Sequence, residues 1–330
     1  MTLSGCEQAI FGPVSVDDAG GLINRYLRQH LGVSMSEVLF RSGRIDAVWA
    51  VRTNDGREVV IKAHRQPVDL AARQAAMTAQ RLLAAAQFPC PEPVSGPDEF
   101  ERLVLSAESL LPHGTLGNGR DPGTRQSIAA GLSEHIDIIR GRSDLTALAG
   151  AGPAWCQYQR GPWPVPHDSI FNFDTSPDGF DWLRDFAQAA ADRLVHADGR
   201  DAVVVGHADW YCGNLRFDSD DRLVAAFDWD LVADTEAAIA GMAAGCYTAS
   251  GTAGSDLPTP EDVAAFLLDY DSVKPRPFSG LQQTVAAAAA SWTIAYNARC
   301  ELSMLTAPPA PGSTLEMAHR NQDEYLQLRW

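Results

Sequence analysis

The apolar residues of Val16 to Leu31 (Leu22, Ile23, Tyr26, Leu27 and Leu31) recur at helical spacing, so this stretch predicts a first helix with one buried face. The period then shortens. Val48–Thr53 and Glu58–His64 are runs rich in β-branched residues, joined through Asn54, Asp55 and Gly56, which tolerate positive φ; together they predict a β-hairpin. Ala71–Ala86 is dominated by Ala, Leu, Gln and Arg, and the prolines that follow Phe88 close the helix it predicts. Glu101–Leu111 starts as a strand and passes into a connection rich in Gly, Pro and Asn that reaches Gly123. A boundary between two lobes is therefore expected near Ser106, dividing the chain into residues 1–106 and 107–330.

Beyond that point helical patterns dominate. Thr124–Arg140 reads as one helix, and Phe180–His196 as another with Trp182, Leu183, Phe186, Ala190 and Leu194 on one side. The Ala-rich stretches Glu236–Thr248, Pro260–Leu268 and Leu281–Met304 read the same way, and the tail after Ala307 ends in one more. Two short apolar runs, Val203–Gly206 and Leu223–Phe227, predict strands. Between the first two of these helices, Trp155–Asp178 mixes aromatics and prolines without a period, which suits a loop acting as a lid or a substrate wall.

Composition narrows the class. With 330 residues, 45% of them hydrophobic, the chain can bury a sizeable core. No basic-then-apolar leader is visible at the N-terminus, and the longest uncharged run, Ala237–Ser255, is rich in Ala, Gly and Thr, so a soluble cytoplasmic protein is expected, without a membrane partner. The six cysteines are scattered with no C-x-x-C pair, which points to reduced thiols rather than a zinc site or a disulfide framework. The formal net charge of -16 argues against nucleic-acid partners. Residues 1–106 carry 11 basic and 12 acidic side chains, whereas residues 107–330 carry 15 and 30. Acid concentrated in one part can attract a cationic small molecule, or can serve only solubility.

The stretch Val203–Leu215, VVVGHADWYCGNL, concentrates the candidate chemistry. A buried strand at Val203–Gly206 places His207, Asp209 and Asn214 on the loop that leaves its end. A second strand, taken to lie beside the first, delivers Asp228 to its own end. Phosphoryl transfer from a nucleotide needs such a set: one carboxylate for the acceptor's proton, with a carboxylate and an amide oxygen to hold Mg²⁺ against the phosphates.

His207-Ala208-Asp209 with Asn214, followed by Phe227-Asp228-Trp229-Asp230, resembles the catalytic loop and metal segment of the aminoglycoside phosphotransferase and choline kinase-like family, relatives of the protein kinases. The resemblance implies an α+β, protein kinase-like fold of two lobes: a small N-terminal lobe with an antiparallel sheet and a larger, mainly helical C-terminal lobe. It implies Asp209 as catalytic aspartate, Asn214 and Asp228 as metal ligands, His207 as support for the loop, and ATP or GTP with Mg²⁺ as cofactors. Lys62, at the end of Val59-Val60-Ile61-Lys62, takes the place of the nucleotide lysine. Ser42 and Gly43 are the candidates for phosphate contact, although the loop Arg41–Val51 has only one glycine.

The family's helix glutamate, partner of that lysine, has no counterpart in Asp69–Gln87: Asp69 lies at its start, and Gln74 and Gln80 are neutral substitutes by position only. The acceptor is expected to be a small molecule bearing an amine, such as an aminoglycoside or aminosugar. Asp230, Asp234, Glu236, Glu301 and Trp210 are candidates to meet it, with Asp230 also able to complete the metal shell or cap a helix. Two alternatives stand beside this reading. The missing glutamate suggests a nucleotide-binding pseudokinase. His207, Asp209 and a distant His319 also suit a non-haem iron oxygenase, which requires a jelly-roll barrel.

Overall fold

Alternation along the strands gives the N-terminal sheet two unlike faces. The computed structural model describes residues 2–111, 114–197, 201–250 and 257–330, and the chain divides into two compact units, Met1–Pro112 and His113–Trp330. In the first, strands β1 (Met35–Ser42), β2 (Ala47–Thr53), β3 (Glu58–His64), β4 (Pro93–Phe100) and β5 (Leu103–Ser109) form one sheet in the order β1-β2-β3-β5-β4. Every neighbouring pair is antiparallel. Helices α1 (Gly5–Phe11) and α2 (Val16–Tyr26) each begin with a capping box, Ser4 with Glu7 and Ser15 with Asp18, which satisfies backbone donors at the helix start.

Trp49, Val51, Val59, Ile61, Ala63, Leu105 and Ala107 share one buried core with Phe11, Ile23, Tyr26 and Leu27 of these helices and the turn after α2. The alternate residues Lys62, His64, Ser106 and Glu108 consequently lie on the opposite face. Helix α3 (Leu70–Ala85) follows β3, with Asp69 as its N-cap accepting from the Ala72 N–H at 3.0 Å. The boundary expected near Ser106 falls inside β5, where the ladder to β3 continues through Lys62↔Ser106 to Val59↔Ser109. Strands β1 and β4 and helix α1 were not visible in the hydrophobic pattern, because their faces are only partly buried or their runs too short to show a period.

The second unit contains α4 (Pro122–Ile139), α5 (Ser143–Ala149), α6 (Asp181–Ala197), β6 (Val203–His207), β7 (Leu215–Phe217), β8 (Leu223–Ala226), β9 (Leu231–Thr235), α7 (Glu236–Ala244), α8 (Pro260–Val273), α9 (Gly280–Met304) and α10 (Thr314–Gln327). Trp155–Asp178 holds only two short 3-10 turns, at Ala154–Cys156 and Tyr158–Arg160. Small residues let α7 and α9 approach closely: a Cβ on Gly241 would come within 2.2 Å of the Ala286 carbonyl oxygen. The uncharged run Ala237–Ser255 enters residues 251–256, outside the described residues.

One sequence expectation is corrected here. The strands carrying His207 and Phe227 are not neighbours: β6 pairs with β9, and β7 pairs with β8. Both partners are very short or carry polar residues, so neither shows as an apolar run. The mainly helical second unit and antiparallel first sheet establish the kinase-like α+β class, which removes the jelly-roll oxygenase. His319 lies on α10 with its ring 4.5 Å from that of Trp182. Among the described residues no helix is long and apolar enough to cross a membrane, and none of the six cysteines forms a disulfide.

Candidate functional site

Two ribbons, β6–β9 and β7–β8, rather than two adjacent strands assemble the cluster in the second unit, and one further backbone hydrogen bond extends each of them. The Ala208 N–H donates to the Asp230 carbonyl at 2.7 Å, and the Phe227 N–H donates to the Asn214 carbonyl at 2.9 Å. His207 joins one ribbon to the other. Its Nδ1 accepts from the Asp209 N–H at 3.0 Å, so Nε2 carries the proton and donates to the Phe227 carbonyl at 2.9 Å. The backbone N–H of His207 in turn donates to Nε2 of His135 at 3.1 Å, while Nδ1 of His135 meets the Gly131 carbonyl at 3.0 Å. Burial, then the neighbouring His207, pushes the His135 pKa down to about 3, which keeps that ring neutral. His207 therefore acts as a neutral splint between the loop after β6 and the segment after β8, and neutral His135 ties the end of β6 to α4.

Asn214 closes the loop on Asp209. Its Nδ2 donates to the Asp209 carbonyl at 3.0 Å and to the Asp209 Oδ2 at 3.1 Å. Burial first, then the charges of Asp230 and Asp228, raises the Asp209 pKa to about 7, against the lowering effect of the Asn214 hydrogen bond. Asp228 sits at φ 53, a left-handed conformation uncommon for a non-glycine residue. The flanking Trp229 is buried and donates to the Ala226 carbonyl at 2.9 Å, which anchors the strained residue from the next position.

The acidic candidates separate into two groups. Asp230 and Asp234 both act electrostatically on the buried thiol of Cys156, as Asp209 does, and Asp234 accepts from the Tyr158 hydroxyl at 2.8 Å. Glu236 is engaged otherwise, accepting from Lys274 at 2.7 Å, Arg140 at 2.8 Å and Tyr270 at 2.9 Å, so its charge is already met by two cations. Glu301 accepts from the Leu315 N–H at 3.0 Å, at the start of α10. Trp210 is fully buried, donates to the Ile128 carbonyl at 2.9 Å, and packs on His135 and His207; it is core rather than a surface open to an acceptor.

In the first unit Lys62 is paired by a residue the sequence reading did not single out. Its Nζ lies 2.9 Å from Oε1 of Glu108, and both side chains are largely buried. Glu108 stands on β5, two positions beyond Ser106, the register partner of Lys62. The alternation in Leu103–Glu108, with apolar Leu103, Leu105 and Ala107 between the others, held the signal for a polar face. Gln80 of α3 is buried and donates to Oε2 of Glu108 at 3.2 Å, whereas Gln74 is exposed. Ser42 ends β1 opposite Val48, and Gly43 opens the tight connection 43–46. At φ 119, a Cβ on Gly43 would sit 1.9 Å from the Asp46 carbonyl oxygen, so the turn requires glycine.

Among the described residues no group of three or more His, Cys, Asp and Glu side chains is placed to hold a metal ion by itself. Asn214 turns its amide nitrogen to Asp209, which leaves the amide oxygen, a hard donor, on the other side of the group, and the charges of Asp230 and Asp228 act on the Asp209 carboxyl.

Comparison with known proteins follows the same line. The model of the phosphotransferase enzyme family matches residues 37–238. A search of curated proteins found no match. Among solved structures, an amicoumacin kinase in complex with AMP-PNP, Ca²⁺ and Ami is similar over 94% of this chain and 96% of its own, at 10% identity and a TM-score of 0.64. An ethanolamine kinase from Plasmodium vivax is similar over 92% and 86%, at 12% identity and a TM-score of 0.58. The aminoglycoside phosphotransferase APH(4)-Ia is similar over 92% and 96%, at 13% identity and a TM-score of 0.54. These likenesses establish a shared fold.

Proposed function

Because the chain belongs to the phosphotransferase enzyme family, we propose that it transfers the γ-phosphoryl group of ATP or GTP to a hydroxyl of a small molecule bearing an amine, such as an aminoglycoside or aminosugar. One observation carries the reading: the double hydrogen bond by which Asn214 orients Asp209, within a loop that His207 ties to the segment bearing Asp228. An acceptor hydroxyl needs an oriented carboxylate to receive its proton, and Asp209 is the candidate. Asn214 and Asp228 would hold Mg²⁺, which when bound neutralises charge on the transferring phosphoryl group. Lys62 would meet phosphate oxygens, with Ser42 and Gly43 offering the β1–β2 turn.

The amine preference rests on Asp230 and Asp234, since Glu236 has its own cations and Glu301 caps a helix. An ammonium group drawn toward these carboxylates presents its neighbouring hydroxyl to the same cluster. Glu108 supplies Lys62 with an acidic partner, and so removes the reason for reading the chain as a pseudokinase. The deciding experiment incubates the protein with Mg²⁺, ATP or GTP, and a panel of amino-hydroxy compounds, and follows product mass. A gain of one phosphoryl group on an acceptor, absent with Asp209→Ala, is expected. Retained nucleotide binding with no transfer to any acceptor in the panel would count against the proposal.

A further inference from the structure

The groups on the polar face of the N-terminal sheet form two hydrogen-bonded chains that end on the same strand. The first starts in the β1–β2 turn. Asp46 Oδ2 lies 2.7 Å from Nδ1 of His64, Asp46 Oδ1 accepts from the Arg65 N–H at 3.0 Å, and Arg73 of α3 stands 3.6 Å away. On its other side His64 places Nε2 2.9 Å from the Ser106 hydroxyl of β5. The second chain runs from Lys62 to Glu108, with Gln80 donating to the far carboxylate oxygen and to the Pro91 carbonyl, each at 3.2 Å. Ser106 and Glu108 point the same way, two residues apart on β5.

The chains have different jobs. Asp46 is the last residue of a turn that Gly43 makes tight, so fixing its carboxylate on β3 fixes the path of backbone 43–46. Burial alone would raise the Asp46 carboxyl; the His64 hydrogen bond, together with the His64 and Arg73 charges, holds it at about 2, so Asp46 stays an acceptor. Glu108 restrains an ammonium group that otherwise carries four rotatable bonds. Helix α3 gives Lys62 no acid, only the neutral Gln80 behind Glu108.

We propose that β5 is the brace for phosphate recognition in this protein: Glu108 is the positioning residue for Lys62, and Asp46, held through His64 to Ser106, is the positioning residue for the β1–β2 turn. The inference rests on the phosphotransfer reading for its ligand, but its geometry does not. Because Ser106 and Glu108 both sit on an interior strand of the sheet, the acid that meets Lys62 does not have to be delivered by α3.

Four variants test it: Asp46→Asn, His64→Gln, Glu108→Gln, and the double variant Glu108→Gln with Gln80→Glu, which returns a carboxylate from the helix side. Hydrogen exchange of amides 43–47 is read without nucleotide, and Mg-ATP affinity is read by titration. Asp46→Asn and His64→Gln should speed exchange at 43–47 by about tenfold or more and weaken Mg-ATP, while Glu108→Gln should leave that exchange unchanged and weaken Mg-ATP by about 10- to 100-fold. The double variant should regain part of that loss; a Glu108 role limited to general stability predicts no recovery. Unchanged exchange in Asp46→Asn together with unchanged affinity in Glu108→Gln overturns the brace. A wild-type protein indifferent to Mg-ATP instead sinks the phosphotransfer reading, and the brace is then judged by exchange alone: faster amides in Asp46→Asn support it and unchanged ones overturn it.

Discussion

The side-chain amide of Asn214 holds Asp209 twice, by the backbone carbonyl at 3.0 Å and by the carboxylate at 3.1 Å. A carboxylate so restrained is ready to accept a proton in one direction. Asp209→Ala is expected to lower turnover by about 10²- to 10⁴-fold while the Kd for Mg-ATP changes little. Asn214→Ala removes both the restraint and the amide oxygen proposed to meet Mg²⁺, so it should lower turnover and raise the Mg²⁺ requirement by about 10- to 100-fold. Steady-state kinetics across a Mg²⁺ titration separates the two. An Asp209→Ala protein that no longer binds nucleotide would reassign Asp209 to structure.

His135 makes stability depend on acid. Its folded pKa, about 3, lies below the unfolded value of about 6.5. The unfolded chain therefore binds the proton first as pH falls. The contribution is fully present above about pH 6.5 and is lost progressively as pH drops toward 3, with a size of a few kcal/mol, on the order of what a shift of this kind represents. Chemical denaturation at pH 7 and pH 4.5 should show a smaller loss in His135→Gln than in the parent, whatever the variant's absolute stability. An equal loss in both would place the acid sensitivity elsewhere.

How much of this was legible in the sequence depended on the range of each contact. Asp209 and Asn214 are five residues apart and Asp228 follows two short strands later, so their contacts fall within one local stretch of sequence. So does the hairpin that carries Lys62. Pairings across the sheet were less visible: Glu108 reaches Lys62 because β5 lies beside β3, and Asp46 reaches His64 because a turn and a strand bring them together. Charge alone misled at Glu236, where Lys274 comes from 38 residues away. Trp210 was ambiguous for a related reason, since only the fold tells a buried indole from an exposed one.

The placement of Glu236 gives a prediction that separates structural acid from acceptor-binding acid. Lys274 and Arg140 both point at its carboxylate, with the Tyr270 hydroxyl as a third donor. Glu236→Gln should destabilise the protein by about 1–3 kcal/mol, because Lys274 loses this counter-charge and Arg140 keeps only Asp137, and should leave the acceptor KM unaltered. Asp234→Asn should do the reverse for an amine acceptor, raising KM with a smaller effect on melting. A raised acceptor KM in Glu236→Gln would return that residue to the binding site.

Asp228 combines backbone strain with like-charge crowding, and the two can be taken apart by choice of substitution. Asparagine tolerates the left-handed conformation at φ 53, whereas alanine there costs roughly 1 kcal/mol. Asp228→Asn keeps the backbone and removes a charge that helps raise the Asp209 carboxyl. It is therefore expected to melt at or above the parent temperature without Mg²⁺, by about 0.5 kcal/mol or more, yet to lose Mg²⁺-dependent nucleotide binding. Asp228→Ala should lose the same binding and melt lower. Differential scanning fluorimetry with and without Mg-ATP reads both effects, and an Asp228→Asn protein that is stabilised by Mg-ATP as strongly as the parent would remove Asp228 from the metal site.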